Sequence, residues 1–190
     1  MKQEVRERLI FALDVDEFSV AEEWVQRLHE NVGLFKVGKQ LFTRCGPAVV
    51  EMIQRHGSDV FLDLKYHDIP NTVAKAAVEA CKLGVKIFNV HALGGAEMMR
   101  KAVVAVDAYC AATKAPKPQL LAVTILTSST EETLREVGID RPVEEMVVRL
   151  AKLTQAAGFD GVVASPKEAA LIRAACGACL LYTSPSPRDS

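Results

Sequence analysis

The run Asp63-Leu64-Lys65-Tyr66-His67-Asp68-Ile69-Pro70-Asn71-Thr72 is the densest set of chemically capable groups in the chain. Side chains two apart on a strand share a face, so Asp63 and Lys65 point the same way. An isolated Asp-x-Lys is commonly a surface ion pair. This one is preceded by Leu13-Asp14 and Phe35-Lys36-Val37-Gly38, and together these segments alternate carboxylates with ammonium groups. Two opposite charges ~4 Å apart attract by about 4 kcal/mol at an effective dielectric of ~20. An array of Lys36, Asp63, Lys65 and Asp68 in a water-poor pocket is therefore self-consistent where a single buried charge is not. An ammonium poised in such an array is equipped to stabilise developing negative charge and to deliver a proton.

Softer candidates surround this array. His91 follows an apolar run and reads either as a site-lining group or as a satisfied strand-end histidine. Thr127 and Ser128 are candidates for hydrogen bonding to a ligand, but Thr127-Ser128-Ser129-Thr130 ahead of Glu131 and Glu132 is equally an N-cap cluster. Lys39 lies close to Lys36 and competes with it for a place in the array. His67, His29 and His56 read as solvated. The five cysteines, Cys45, Cys81, Cys110, Cys176 and Cys179, are odd in number and read mostly as small apolar fillers. Cys176-Gly177-Ala178-Cys179 has the spacing of a redox or metal pair, a reading its position near the chain end disfavours.

The elements that must carry these groups show in a repeated change of period. Short apolar runs alternate with longer segments whose apolar residues recur every three or four positions, which is the pattern of βα units. Strands are expected at Leu9 to Leu13, Leu34 to Val37, Val60 to Leu64, Lys86 to Val90, Leu120 to Thr124 and Gly161 to Ala164. Helix starts are expected at a capping box of Ser19 with Glu22, at Pro47, and at Pro70 before Asn71-Thr72. Gly84 and Gly158 sit where helices should stop.

Buried strands joined by helices imply a parallel sheet. Polar groups recur at one end of five consecutive strands: Asp14, Lys36, Asp63 with Lys65, His91, and Thr127 with Ser128. In an open sheet the outer strands would not converge on one point, whereas in a closed barrel every strand ends at the same mouth. The fold class read from this pattern is α/β, a (β/α)8 TIM barrel, here incomplete with about six βα units.

Composition narrows the partners. The chain has 190 residues, 49% of them hydrophobic, and its 23 basic and 24 acidic residues give a formal net charge of -1. The charges are interspersed, so neither nucleic acid nor a membrane surface is an expected partner. No apolar stretch reaches the ~18 residues that span a bilayer, and the N-terminal run lacks a secretory signal's length and cleavage site. A cytoplasmic protein is expected.

Phe11-Ala12-Leu13-Asp14, Lys36-Val37-Gly38, Asp63-Leu64-Lys65-x-x-Asp68-Ile69-Pro70-Asn71-Thr72 and Val90-His91-Ala92 resemble, in order and spacing, the signature blocks of the orotidine 5'-phosphate decarboxylases. The resemblance covers about residues 8 to 176. It implies conversion of orotidine 5'-phosphate to uridine 5'-phosphate in pyrimidine biosynthesis, with no cofactor and no metal. The reaction passes through a C6 carbanion that no neighbouring group delocalises, so electrostatics and positioning must carry it. Lys65 would stabilise and protonate that carbanion, with Asp63, Asp68 and Lys36 as the other catalytic residues. Asp14, Lys36, Ile69, Thr72, His91, Thr127 and Ser128 would bind substrate: Asp14 and Lys36 the ribose hydroxyls, Thr127 and Ser128 the pyrimidine edge. The Lys-Val-Gly frame selects Lys36 over Lys39. The resemblance further implies a homodimer in which Asp68, Ile69 and Thr72 complete the partner's site.

The C-terminus departs from this pattern. Residues 1–178 read as a partial barrel domain, and from Cys179 the proline-broken sequence reads as a non-native, disordered tail of residues 179–190. The glutamine and arginine that grip phosphate in the resembled family follow strands seven and eight, and no residue here can be assigned to them. The chain alone is therefore expected to be inactive. Two rivals remain: a Mg2+-dependent sugar-phosphate lyase or synthase on the same barrel, which Ile69-Pro70-Asn71-Thr72 argues against, and a non-catalytic nucleotide-binding barrel.

Overall fold

A computed structural model describes residues 6–178 and 180–183. Seven strands form one sheet, each hydrogen-bonded to its predecessor in sequence and all parallel. They are β1 (Ile10–Ala12), β2 (Leu34–Gly38), β3 (Asp59–Tyr66), β4 (Ile87–His91), β5 (Gln119–Val123), β6 (Gly161–Val163) and β7 (Leu181–Thr183). The helices between them are α1 (Phe18–Leu28), α2 (Lys39–Cys45), α3 (Ala48–Arg55), α4 (Pro70–Lys82), α5 (Gly95–Thr113), α6 (Glu131–Glu136), α7 (Val143–Ala156) and α8 (Ala169–Cys176). An unbroken sequential order of parallel strands with helical crossovers is barrel geometry, since a doubly wound sheet would reverse its strand order.

The six expected strands are all present, within about two residues at each end. A seventh was not expected. Leu181–Thr183 pairs in register with β6, Gly161 opposite Leu181 and Val163 opposite Thr183, so the sheet continues past residue 178 into the segment read as a tail. Residue 179 and residues 184–190 lie outside the described residues, and with them half of the Cys176/Cys179 pair.

Helix starts follow the sequence in part. Pro70 is the first residue of α4, where its missing N–H costs nothing. Pro47 is the N-cap of α3 rather than its first residue. The expected Ser19–Glu22 capping box is absent: α1 begins at Phe18 behind Glu17, whose side chain makes no cap hydrogen bond. Gly84 and Gly158, at φ 68° and 86°, take the left-handed conformation that ends α4 and α7.

Strand alternation divides the apolar residues into two layers. Phe35, Val37, Leu62, Phe88, Val90, Leu120 and Ala122 face the helices and join Val25, Met52, Ile53, Ala77, Met98 and Met99 in the main core. Full burial of each large side chain contributes about 1.5–3 kcal/mol. The opposite face carries Leu34, Phe61, Ile87 and Leu121, with Ile10 and Val163 packed against them. These residues fill the barrel interior. The base is covered by the chain's N-terminal turn, where the Arg6 guanidinium donates to the carbonyls of Val32 and His29 at 3.2 and 3.0 Å. That turn passes so close to Gly33 that a Cβ there would lie 2.8 Å from the Glu7 Cα.

Candidate active site

One step further along each strand, on the same interior face, the apolar layer gives way to a polar one: Lys36 follows Leu34, Asp63 follows Phe61 and Asn89 follows Ile87. Asp63 is the centre of this layer, its residue surface only 7% exposed. Lys65 Nζ donates to both of its oxygens, at 2.8 Å to Oδ1 and 2.9 Å to Oδ2. Asn89 Nδ2 donates to Oδ1 at 2.6 Å. Lys36 Nζ lies 3.6 Å from Oδ2 and 3.4 Å from Asp14 Oδ1. The array Asp14–Lys36–Asp63–Lys65 thus alternates in sign and crosses three strand ends.

Burial alone would push the Asp63 carboxyl up. The Lys65 ammonium, the Asn89 hydrogen bond and the Lys36 charge outweigh it and hold Asp63 below the usual carboxylate range. His91, half-buried at the end of β4, moves the other way. Burial first, then the neighbouring His67, Lys39 and Lys65, lower it to about 4, which leaves it neutral near pH 7.

The backbone beneath Lys65 is irregular. On β3 the pairing with β4 jumps from Leu62 opposite Phe88 to Tyr66 opposite Val90, four residues against two. Lys65 sits in this bulge at φ 50°, a conformation that costs an L-residue roughly 1–2 kcal/mol. Its N–H donates to Asn89 Oδ1 at 2.8 Å. The bulge turns the Lys65 side chain back over Asp63, two residues earlier.

A cavity of about 190 Å³ opens over the array, lined by Leu13, Asp14, Val15, Lys36, Gly38, Lys39, Gln40, Leu41, Asp63 and Lys65. A broader, shallower hollow shares Lys39 and Gln40 with it and extends to Asp16, Thr43 and Arg44. Lys39 therefore borders the cavity, while Lys36 is the lysine inside the array.

The remaining sequence candidates fall at the same end of the sheet but outside the array. Asp68 is exposed, and its Oδ1 accepts the N–H of its own neighbour Ile69 at 2.6 Å. Among the described residues no ion pair joins Asp68 to Lys65, so within one chain the array expected to end in Asp68 ends in Asp14 instead. Ile69 is 67% exposed and Thr72 is exposed in the first turn of α4. Thr127 is half-buried and Ser128 exposed in the loop after β5. The N-cap of α6 is neither of them but Thr130, in a capping box with Thr133. His67 is exposed as expected, yet its ring packs 5.7 Å from that of His91. Among the described residues no three His, Cys, Asp or Glu side chains group as metal ligands, and no helix is long and apolar enough to cross a membrane.

Asn89 is the residue that sequence reasoning missed. It is fully buried, and in Ile87-Phe88-Asn89-Val90-His91 the period of two places it on the face that carries His91. An amide between two apolar neighbours, pointing into the interior, was the available signal.

A sequential parallel, incomplete barrel with an alternating charged array at its C-terminal mouth defines a protein of the (β/α)-barrel enzyme class. Residues 7–188 match the Orotidine 5'-phosphate decarboxylase / HUMPS family, and the chain belongs to that family. It is 66% identical over 190 residues to the orotidine 5'-phosphate decarboxylase of Syntrophotalea carbinolica, spanning all of this chain and 78% of that protein. It is 61% identical over 189 residues to that of Geobacter sulfurreducens, again spanning 78% of the relative. Among solved structures, the orotidine 5'-phosphate decarboxylase of Lactobacillus acidophilus superposes with a TM-score of 0.86 at 38% identity, covering 94% of this chain and 80% of that one. An uncharacterized conserved protein of Geobacillus kaustophilus gives the same TM-score at 41% identity, covering 95% and 84%.

Proposed function

We propose that this chain carries the site that decarboxylates orotidine 5'-phosphate to uridine 5'-phosphate once the barrel is completed C-terminally, with Lys65 as the group that stabilises the C6 carbanion and then protonates it. The observation that carries this reading is the doubly hydrogen-bonded Lys65–Asp63 pair in the cavity at the barrel mouth. Loss of CO2 leaves an electron pair in the plane of the pyrimidine at C6, outside the π system. A fixed ammonium beside that carbon lowers the energy of the carbanion and supplies the proton that ends the reaction. Asp63 positions the ammonium and shapes the field around it. Lys36, between Asp63 and Asp14, ties the reacting groups to the side of the cavity where Asp14 and Lys36 would meet the ribose hydroxyls. Neutral His91, with Thr127 and Ser128 from the next loop, lines the pyrimidine side.

Asp68, Ile69 and Thr72 are assigned to the partner's site in a homodimer. The exposure of Asp68 and Ile69, beyond the end of β3, supports this. The free thiols Cys45, Cys81, Cys110 and Cys176 suit a reducing, cytoplasmic setting.

The test is the loss of orotidine 5'-phosphate ultraviolet absorbance in the presence of chelator. It is run on the 190-residue chain and on a chimera continued with the C-terminal region of the Syntrophotalea carbinolica relative. Chelator-resistant turnover that Lys65→Ala removes supports the decarboxylase; a chelator-sensitive reaction, or none in either protein, overturns it.

A further inference from the structure

Asn89 is the one member of the polar layer with no charge, and both ends of its amide are committed. Nδ2 donates to Asp63 Oδ1 at 2.6 Å and Oδ1 accepts the Lys65 backbone N–H at 2.8 Å. The β3 bulge breaks the regular pairing with β4 between Leu62 and Tyr66, and the Asn89 side chain supplies the acceptor for the Lys65 amide within that break. A single side chain on β4 therefore touches the carboxylate of one reacting-site residue and the main chain of the other.

The left-handed backbone of Lys65 gives this bridge its consequence. A lysine has no intrinsic reason to sit at φ 50°, and relaxation to an extended conformation would stand its side chain beside Asp63 instead of folding it back over both carboxylate oxygens. The hydrogen bond from the Lys65 N–H to Asn89 opposes that relaxation, while the Nδ2 bond fixes the rotation of the carboxylate that receives the ammonium. We infer that Asn89 is a positioning residue: its amide holds the Lys65 backbone in the left-handed conformation and the Asp63 carboxylate in one orientation, so that ammonium and carboxylate meet the substrate as a preset unit.

The two jobs can be removed separately. Leucine matches asparagine in its branched heavy-atom connectivity but is bulkier and offers neither group, and aspartate keeps an acceptor for the Lys65 amide while losing the donor to Asp63. The kinetic consequence rests on the decarboxylase reading; the structural test below does not.

The experiment is amide hydrogen exchange of the 190-residue chain by 1H–15N NMR, with Val37 and Leu121 on β2 and β5 as folding controls. In the parent the Lys65 amide is protected. In Asn89→Leu its exchange accelerates at least tenfold while the controls hold, and in Asn89→Asp protection is kept. In Asn89→Asp the Asp63 carboxyl, followed by its 13Cγ shift, titrates at higher pH than in the parent. If Asn89→Leu does not fold, Asn89→Asp decides alone: parent-like protection with a raised Asp63 midpoint supports the inference. Unchanged Lys65 exchange in folded Asn89→Leu, or an Asp63 midpoint in Asn89→Asp equal to the parent's, overturns it. Where turnover is measurable, Asn89→Leu lowers kcat by about 100-fold with little change in KM, as a misplacement near 1 Å does; a KM effect with kcat intact also overturns it.

Discussion

Lys65 and Asp63 stand two residues apart on one strand, and the ammonium of the first straddles both carboxylate oxygens of the second at 2.8 and 2.9 Å. On a regular strand such a pair would stand side by side on one face. The bulge and the positive φ of Lys65 fold the longer side chain back over the shorter one, so local backbone strain and site geometry are the same feature.

That coupling separates activity from stability at position 65. Lys65→Ala and Lys65→Gly both remove the ammonium, and each should lower turnover at least ~10³-fold, the scale of a lost proton donor and charge stabiliser. They should differ in stability, because glycine occupies the left-handed region freely and alanine does not. Urea denaturation is expected to show Lys65→Gly more stable than Lys65→Ala by about 1 kcal/mol; equal midpoints would mean the strand relaxes once the lysine is gone.

Removing the other partner has a different signature. In Asp63→Ala two ammonium groups and the Asn89 donor lose their shared acceptor inside a pocket where Lys36 and Lys65 side chains are 17% and 26% exposed. Part of the penalty is screened by that exposure, so a loss of about 2–3 kcal/mol is expected. Asp63→Asn keeps an acceptor oxygen and should recover some of the stability but little of kcat, since the amide does not replace the negative charge. Denaturation and steady-state kinetics on both variants check this; recovery of kcat by the amide would show that the charge of Asp63 is dispensable.

Much of this was legible beforehand, and the failures have physical causes. Alternating polar and apolar residues placed Lys36, Asp63 and Lys65 on one interior face because strand pleating fixes that outcome locally. The convergence of polar groups at one end of successive strands gave the barrel. The bulge at Lys65 was hidden, since a lysine at positive φ is imposed by tertiary contacts rather than by its own preference. Asn89 was passed over because only the neighbouring strand shows what its amide meets. The seventh strand, Leu181–Thr183, is three residues long and exists through its pairing with β6, so no local period announces it. The Ser19 capping box failed because the helix of residues 18–28 starts two positions too early for Ser19 to be its N-cap.

The acid side of the stability curve should divide in two. His91 is lowered to about 4 from 6.5 by burial and by the His67, Lys39 and Lys65 charges. Between those pH values the unfolded chain binds a proton that the folded chain refuses, so stability falls as pH drops from about 6.5 toward 4. Asp63 is also held below its ordinary range, so its contribution is present above the unfolded value near ~4 and is lost only as pH falls through the folded one. Thermal midpoints against pH should therefore show His91→Gln flattening the upper limb alone and Asp63→Asn flattening the lower limb. A parent-like slope between pH 6.5 and 4 in His91→Gln would count against a neutral His91 in the folded site.

Asp68 offers a test of the shared site that does not depend on seeing the dimer. Its carboxylate is exposed and bonded to its own neighbour's N–H, so Asp68→Ala should cost the fold under about 0.5 kcal/mol, as surface changes usually do. If Asp68 completes the partner's site, an Asp68→Ala chain and a Lys65→Ala chain are each inactive alone. Random pairing of an equimolar mixture puts half the chains' dimers in the mixed form, where one of the two sites carries an intact Lys65 and an intact Asp68. The mixture should then regain about a quarter of parental turnover, because an isologous dimer presents each subunit's loop to the other's mouth. Unfolding and refolding the mixture together, followed by the absorbance assay, reads this directly. Continued inactivity of the mixture beside an active parental control would place Asp68 in the site of its own chain, and retained activity in Asp68→Ala alone would remove it from the chemistry altogether.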